Sequence, residues 1–185
     1  MFARTESLLL RPAWAEDADA LYGAIAQEQV VRNLSRVPWP YQRADAERFI
    51  ARQRPAGEAI FLIFLVGAPP RLIGCIGLHA ADNGETELGY WLAREAWGRG
   101  YATEAGRAVV EIARHGLRLP RLVSRHFMDN PASGRVLGKL GFQPTGHITM
   151  QHSLARGGPV PNAEYVLELN RAGEAIDVES CSVAA

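Results

Sequence analysis

The sequence predicts an α+β fold in one domain, a mixed and mostly antiparallel sheet flanked by helices. Three observations predict it. Two apolar runs, EAIFLIFLV (58–66) and RLIGCIGL (71–78), are split by Gly67-Ala68-Pro69-Pro70, which reads as strand, turn, strand. Asp82-Asn83-Gly84 turns the chain again into TELGYWL (86–92), completing an antiparallel meander. Beyond it, Ala102, Ala105, Gly106, Val109, Val110 and Ala113 recur at helical spacing, and a further strand follows at 122–127. A helix joining two strands of one sheet makes them parallel, so this pair interrupts the antiparallel pattern.

In chain order, residues 7–11 (SLLLR) form an opening strand stopped by Pro12. Glu16 and Asp17 then precede Ala18, Leu21, Tyr22 and Ile25, a helix with acids at its positive end. Residues 30–34 continue it as a second short helix. The segment SRVPWPY (35–41) is a loop, because prolines flank Trp39. Residues 43–54 are helical, with Ala46, Phe49 and Ile50 on one side. The helix that begins in the glycine turn extends over 101–117, and Pro120 stops it. Asn130 can cap a helix that begins at Pro131 and ends at Gly141. Strands at 142–151 and 162–169 bracket a loop at 155–161. The sum is about seven strands and about four helices. The domain covers 1–170, and 171–185 is a tail poor in large apolar residues.

Composition narrows the function classes. The 185 residues carry 20 basic and 20 acidic side chains, so net charge is zero and no bulk attraction to nucleic acid follows. The longest apolar run is too short to span a bilayer, and residues 1–10 lack a signal-peptide core, which gives a cytoplasmic expectation. Cys75 and Cys181 lie far apart, which is neither a disulfide framework nor a metal site. Monomer and homodimer both stay open.

The stretch Trp97-Gly98-Arg99-Gly100-Tyr101-Ala102 carries the strongest chemical signal. A strand running through glycines into a helix start aims free backbone N–H groups at an anion. Gly98 and Gly100 permit the turn, and Arg99 adds a cation. The P-loop reading fails, because no Lys-Ser or Lys-Thr follows the second glycine. The dinucleotide reading fails too, because Thr103 stands where Gly or Ala belongs and no acid lies near 119–123. A tight turn that binds nothing is the alternative.

Taken with "ELGYWL" before it and an Asn-led helix ending in Lys-Leu-Gly-Phe after it, this turn gives the chain a recognisable outline. It resembles the GNAT N-acetyltransferases, and more narrowly their RimJ/RimL-type branch, over about Leu8 to Leu169. Leu8-Leu9-Leu10-Arg11-Pro12, Asp17-Ala18 and the Pro-Trp-Pro loop fit that branch. The resemblance implies a sheet whose central parallel pair splays apart, with acetyl-CoA as co-substrate and no metal. The amides of Gly98, Arg99, Gly100, Tyr101 and Ala102 would hold the pyrophosphate. Glu95 departs from the Gln/Arg that opens the family pattern, a change the backbone amides tolerate. Backbone groups near Tyr90, Trp91 and Leu92, with Asn130 opposite, would hold the pantetheine arm.

The implied reaction moves an acetyl group from a thioester to an amine, either a protein N-terminus or a small amine. It requires a base for the amine, donors for the oxyanion and a proton for the thiolate. Glu87 is the expected base, sharing a strand face with Gly89 and Trp91; His79 is a second choice. The oxyanion donor would be a backbone N–H near Leu92. The tyrosine that many family members use as the acid falls on Leu137, so it is absent. Ser133 stands near the expected sulfur position and can hydrogen-bond it. Glu104 reads as structural, since an acid in a first helical turn is explained by the dipole. Arg36, Trp39, Tyr41 and His79 are expected to line the acceptor side. Gly134 and Gly138 would loosen the Asn-led helix. A coenzyme-binding module without turnover is the other class that these features allow.

Overall fold

Each apolar run of the meander becomes a strand, and the computed structural model describes residues 1–55, 57–81 and 83–169. The expected tail at 171–185 and Cys181 lie outside the described residues. The strands are β1 (Ala3–Arg4), β2 (Leu8–Arg11), β3 (Ala59–Leu65), β4 (Arg71–Ala80), β5 (Thr86–Leu92), β6 (Arg121–Phe127), β7 (Gln143–Ser153) and β8 (Gly158–Glu168). They form one sheet of eight strands in the order β1-β2-β3-β4-β5-β6-β8-β7. The short β1 lies outside the opening strand expected at 7–11, and β2 lies within it. Five α-helices accompany them among the described residues: α1 (Ala18–Ile25), α2 (Glu28–Val31), α3 (Arg43–Ala51), α4 (Tyr101–Glu111) and α5 (Pro131–Lys139). The helix expected to run to 117 changes to a wider π-helical turn at Ile112–Gly116.

Two apolar layers cover the sheet. On one face, Val109 and Val110 of α4 and Leu137 of α5 pack against Leu10, Ile76, Leu88 and Leu122. On the other, Leu21 and Ile25 of α1 and Val31 of α2 pack against Leu62, Phe64 and Cys75. Alternation along the strands places β5 residues Leu88, Tyr90 and Leu92 on the α4 face and Glu87, Gly89 and Trp91 on the other. A buried ion pair closes the N-terminal corner. Arg11 donates from both terminal nitrogens to Asp17 at 2.7 Å each, and its guanidinium lies over the Trp14 ring at 3.8 Å.

Most pairs in the sheet are antiparallel, while β5 and β6 run parallel and meet at one register position, Glu87 opposite Val123. Beyond that point the Ser124 hydroxyl bonds the Leu88 carbonyl at 2.8 Å, taking the place of a ladder bond. The last hairpin is longer than expected, because the loop proposed for 155–161 shrinks to a turn at 154–157. Pro159 and Pro161 lie inside β8, where they face β7 residues His152 and Met150. Pairing with β6 begins only at Asn162 opposite Phe127, so neither proline interrupts that ladder.

Candidate active site

The splay between β5 and β6 opens a cavity of about 1060 Å³ that runs through the sheet. Its wall takes Tyr90 and Leu92 from one face of β5 and Glu87, Gly89 and Trp91 from the other. Each face therefore supplies its own chemistry to one connected space.

On the α4 face, the glycine turn adopts the geometry its residues permit. Gly98 and Gly100 have φ of 73° and 84°, the left-handed region that favours glycine, and Gly100 caps α4. Gly98, Gly100, Tyr101, Ala102 and Thr103 line the cavity, so the first α4 amides border it with their positive end. Glu104 turns away. Its carboxylate accepts from Thr5 Oγ1 at 2.6 Å and from the Ser7 N–H at 2.8 Å, tying α4 to the first strands. The Arg99 side chain is exposed and is not among the groups that line the cavity.

Across from this turn, α5 starts as its residues dictate. Asn130 Oδ1 accepts from the Ser133 N–H at 3.4 Å, and Pro131 takes the first helical position. Asn130, Ser133, Arg135 and Lys139 all reach the wall. Tyr90 of β5 bridges to this helix: its hydroxyl lies 2.7 Å from Ser133 Oγ and 3.2 Å from the Ser133 carbonyl oxygen. Burial pushes the Tyr90 phenol up to about 12, partly offset by the bond to Ser133. The phenol is thus protonated across the working range. Gly134 is a packing glycine: a Cβ there would fall 2.7 Å from His126 Nε2. The looseness expected of it is replaced by close contact between α5 and β6.

On the opposite face, His79 stands opposite Glu87 in the β4–β5 register. Its ring lies against Gly89, where an added Cβ would sit 3.2 Å from His79 Cε1. Burial lowers the His79 pKa below the ordinary 6.5, Arg36 and Arg52 add to that, and Glu87 and Glu58 act in the opposite sense. The imidazole is neutral at pH 7 and able to accept a proton. Glu87 is less available than the sequence alone suggests. Arg125 donates to Glu87 Oε2 at 2.8 Å and to Glu164 Oε2 at 3.1 Å. Cys75 also lines this space, and burial pushes its thiol up to about 12, which removes it as a nucleophile.

The β7–β8 turn is pinned across this face. Arg156 forks onto Asp129 at 2.8 and 3.0 Å and donates from Nε to the Arg32 carbonyl at 2.7 Å. Ser153 Oγ donates to the Leu34 carbonyl and the Leu154 N–H to the Ser35 carbonyl.

The family profile described as the acetyltransferase (GNAT) domain matches residues 7–143. An uncharacterised N-acetyltransferase, p20 of Bacillus licheniformis, is 31% identical over 83% of this chain and 88% of its own. The chain belongs to the GNAT acetyltransferase family. As a GNAT enzyme it is an acetyl-CoA-dependent acetyltransferase, and its fold agrees with solved relatives. A GNAT-family acetyltransferase from Bacillus anthracis superposes with a TM-score of 0.79 at 22% identity, covering 92% of this chain and all of that one (100%). RimL, a ribosomal L7/L12 alpha-N-protein acetyltransferase solved with coenzyme A, gives 0.73 at 20% identity, covering 91% and 98%.

Within this GNAT domain, the cavity gathers most of the residues singled out from sequence. Arg36, His79, Glu87, Tyr90, Trp91, Leu92, Gly98, Gly100, Tyr101, Ala102, Asn130 and Ser133 line it. Trp39 and Tyr41 do not. Tyr41 is 7% exposed, packed in the second apolar layer against a smaller cavity of about 290 Å³, and Trp39 is 41% exposed on the surface. Their aromatic surface goes to the core and the exterior, not to this cavity. The Leu92 carbonyl, expected to meet the pantetheine, already accepts from Trp97 Nε1 at 2.8 Å. Sequence reading missed Ser124, Arg125 and Asn162, which also line the cavity; Asn162 Oδ1 is buried without a protein partner. Alternation along the 122–127 strand was the signal available for Arg125, since Val123 and Arg125 share a face. Among the described residues no helix is long and apolar enough to cross a membrane, and no His, Cys, Asp and Glu cluster could hold a metal.

Proposed function

We propose that this enzyme transfers the acetyl group of acetyl-CoA to a primary amine, a protein N-terminal α-amine or a small-molecule amine, by direct attack in a ternary complex. The observation that carries the reading is the through-sheet cavity, with helix-start amides at one face and a neutral, half-buried imidazole at the other. The amides of Gly98, Arg99, Gly100, Tyr101 and Ala102 would take the pyrophosphate. Arg135 and Lys139, one helical turn apart on α5, add positive charge to the same wall. Tyr90, Trp91, Leu92 and Asn130 flank the pantetheine arm.

On the other face, His79 takes the proton that the amine loses as its nitrogen bonds the thioester carbon. The C–S bond breaks and its electron pair leaves on sulfur. Glu87 is the second candidate for the base, held back by its bond to Arg125. A backbone N–H near Leu92 would steady the oxyanion. The RimL neighbour, an alpha-N-protein acetyltransferase, supports the α-amine branch of the proposal. An α-amine has a pKa of about 7.7–8.0 against about 10.4 for lysine, so a base as weak as His79 suits it better.

The test is free-thiol release from acetyl-CoA with peptides bearing free N-termini and with mono- and polyamines. Turnover on peptides, reduced by His79→Gln, is the expected result. Binding of acetyl-CoA without turnover on any amine would overturn the enzyme reading and leave a coenzyme-binding module.

A further inference from the structure

We propose that Tyr90 is a positioning residue that fixes the Ser133 hydroxyl as a hydrogen-bond donor toward the sulfur of the acyl thioester. The inference rests on the acetyl-transfer reading above and deepens it. In this chain α5 carries the fully buried Leu137 at the position where the family resemblance implies a tyrosine acid. A phenol nevertheless reaches α5 from a different element, β5.

The geometry assigns its role. Tyr90 has one proton and two acceptors within reach, Ser133 Oγ at 2.7 Å and the Ser133 carbonyl at 3.2 Å. The shorter contact is at the preferred O–H···O length, so Oγ is the better acceptor. A serine hydroxyl that accepts from a phenol keeps its own hydrogen for another partner. Both side chains line the coenzyme face of the cavity, so the remaining partner is there. The phenol does not supply the proton itself. With its pKa near 12 it is a far weaker acid than a thiol of about 8.5, so handing a proton to the thiolate runs uphill. Tyr90 instead holds the Ser133 rotamer and leaves its O–H pointed where charge develops as the C–S bond breaks.

A double-mutant cycle tests this, with thiol release from acetyl-CoA as the rate and the coenzyme Kd and melting temperature measured alongside. Tyr90→Phe should lower kcat about tenfold, with the KM and Kd for acetyl-CoA changing less than about twofold. Ser133→Ala should lower kcat at least as far. In the Ser133→Ala background, Tyr90→Phe should change kcat by less than about twofold, because its only route runs through the missing hydroxyl. Additive losses, or an unchanged Tyr90→Phe rate, would overturn the proposal. If Tyr90→Phe does not fold, Ser133→Ala carries the test, and an unchanged kcat there is equally fatal. Absence of wild-type turnover on every amine would instead mark failure of the acetyl-transfer reading.

Discussion

His79 and Glu87 face one another across β4 and β5, yet the protein treats them differently. The imidazole is half-buried and kept neutral, whereas the carboxylate is engaged by Arg125. A histidine whose folded pKa is depressed accepts protons at any pH above that value and loses the capacity below it. The acidic limb of the kcat/KM profile should therefore lie below pH 6.5, the ordinary histidine value. Glu87→Gln removes the neighbouring charge that raises this pKa, so the limb should move to still lower pH with turnover retained near neutrality. A Glu87→Gln enzyme that is dead at pH 7 and recovers only in alkali would make Glu87 the base instead. The same shift has a stability sign: the neutral imidazole favours the fold above pH 6.5, and that contribution is lost as pH falls through the depressed value. A second residue-scale effect lies far from the cavity. Asp17→Asn leaves the Arg11 guanidinium buried with half its partner removed, and should cost about 3 kcal/mol in urea unfolding. A loss below about 1 kcal/mol would show that water or Trp14 compensates Arg11.

At the scale of elements, the proposed coenzyme face depends on two helix starts built in different ways. α4 begins from a left-handed glycine, and Gly100→Val should force that turn open and raise the Kd for coenzyme A by more than about tenfold in calorimetry. α5 begins from an Asn-Pro cap but is placed by contact, with Gly134 against His126. Gly134→Ala should push the helix off β6, lowering both melting temperature and kcat; unchanged values would mean that His126 simply swings aside. The first start was legible in the sequence, because a positive φ demands glycine and a helical apolar stripe follows it. So was the second, because Asn, Pro and Gly sit at their preferred positions. The contact of Gly134 was not legible, since nothing local distinguishes a glycine that packs from one that loosens. Nor was the Tyr90–Ser133 bond, whose partners are 43 residues apart in sequence. The prolines of β8 misled for a physical reason: they read as loop, but at that end β8 pairs with β7 alone and tolerates them.

Over the described residues the molecule is a sheet pierced at its one parallel pair, with a different covering on each face. The meander and the parallel pair followed from element types and could be read before any coordinates, as could the glycine turn that borders the cavity. The proposed acceptor wall could not. It is assembled from segments around residues 32–36, 79–91, 125–129 and 151–162, which meet only through tertiary contact. That is why Trp39 and Tyr41, prominent in sequence, fell outside it, while Arg125 and Asn162 came in unannounced. Arg156 is the fastening of this wall. Its fork on Asp129 and its bond to the Arg32 carbonyl hold the β7–β8 turn, α2 and the start of α5 together, and the guanidinium holds the Asp129 carboxyl below the ordinary carboxylate range. Neither contact touches the glycine turn. Arg156→Ala should accordingly raise the KM for the amine about fivefold, the scale of one partly exposed charge-assisted contact. The Kd for coenzyme A should stay within about twofold, because the α4 amides are unaffected. Equal weakening of both substrates would show that the two faces of the cavity are mechanically coupled through the splayed strands, and that the acceptor wall is not an independent unit.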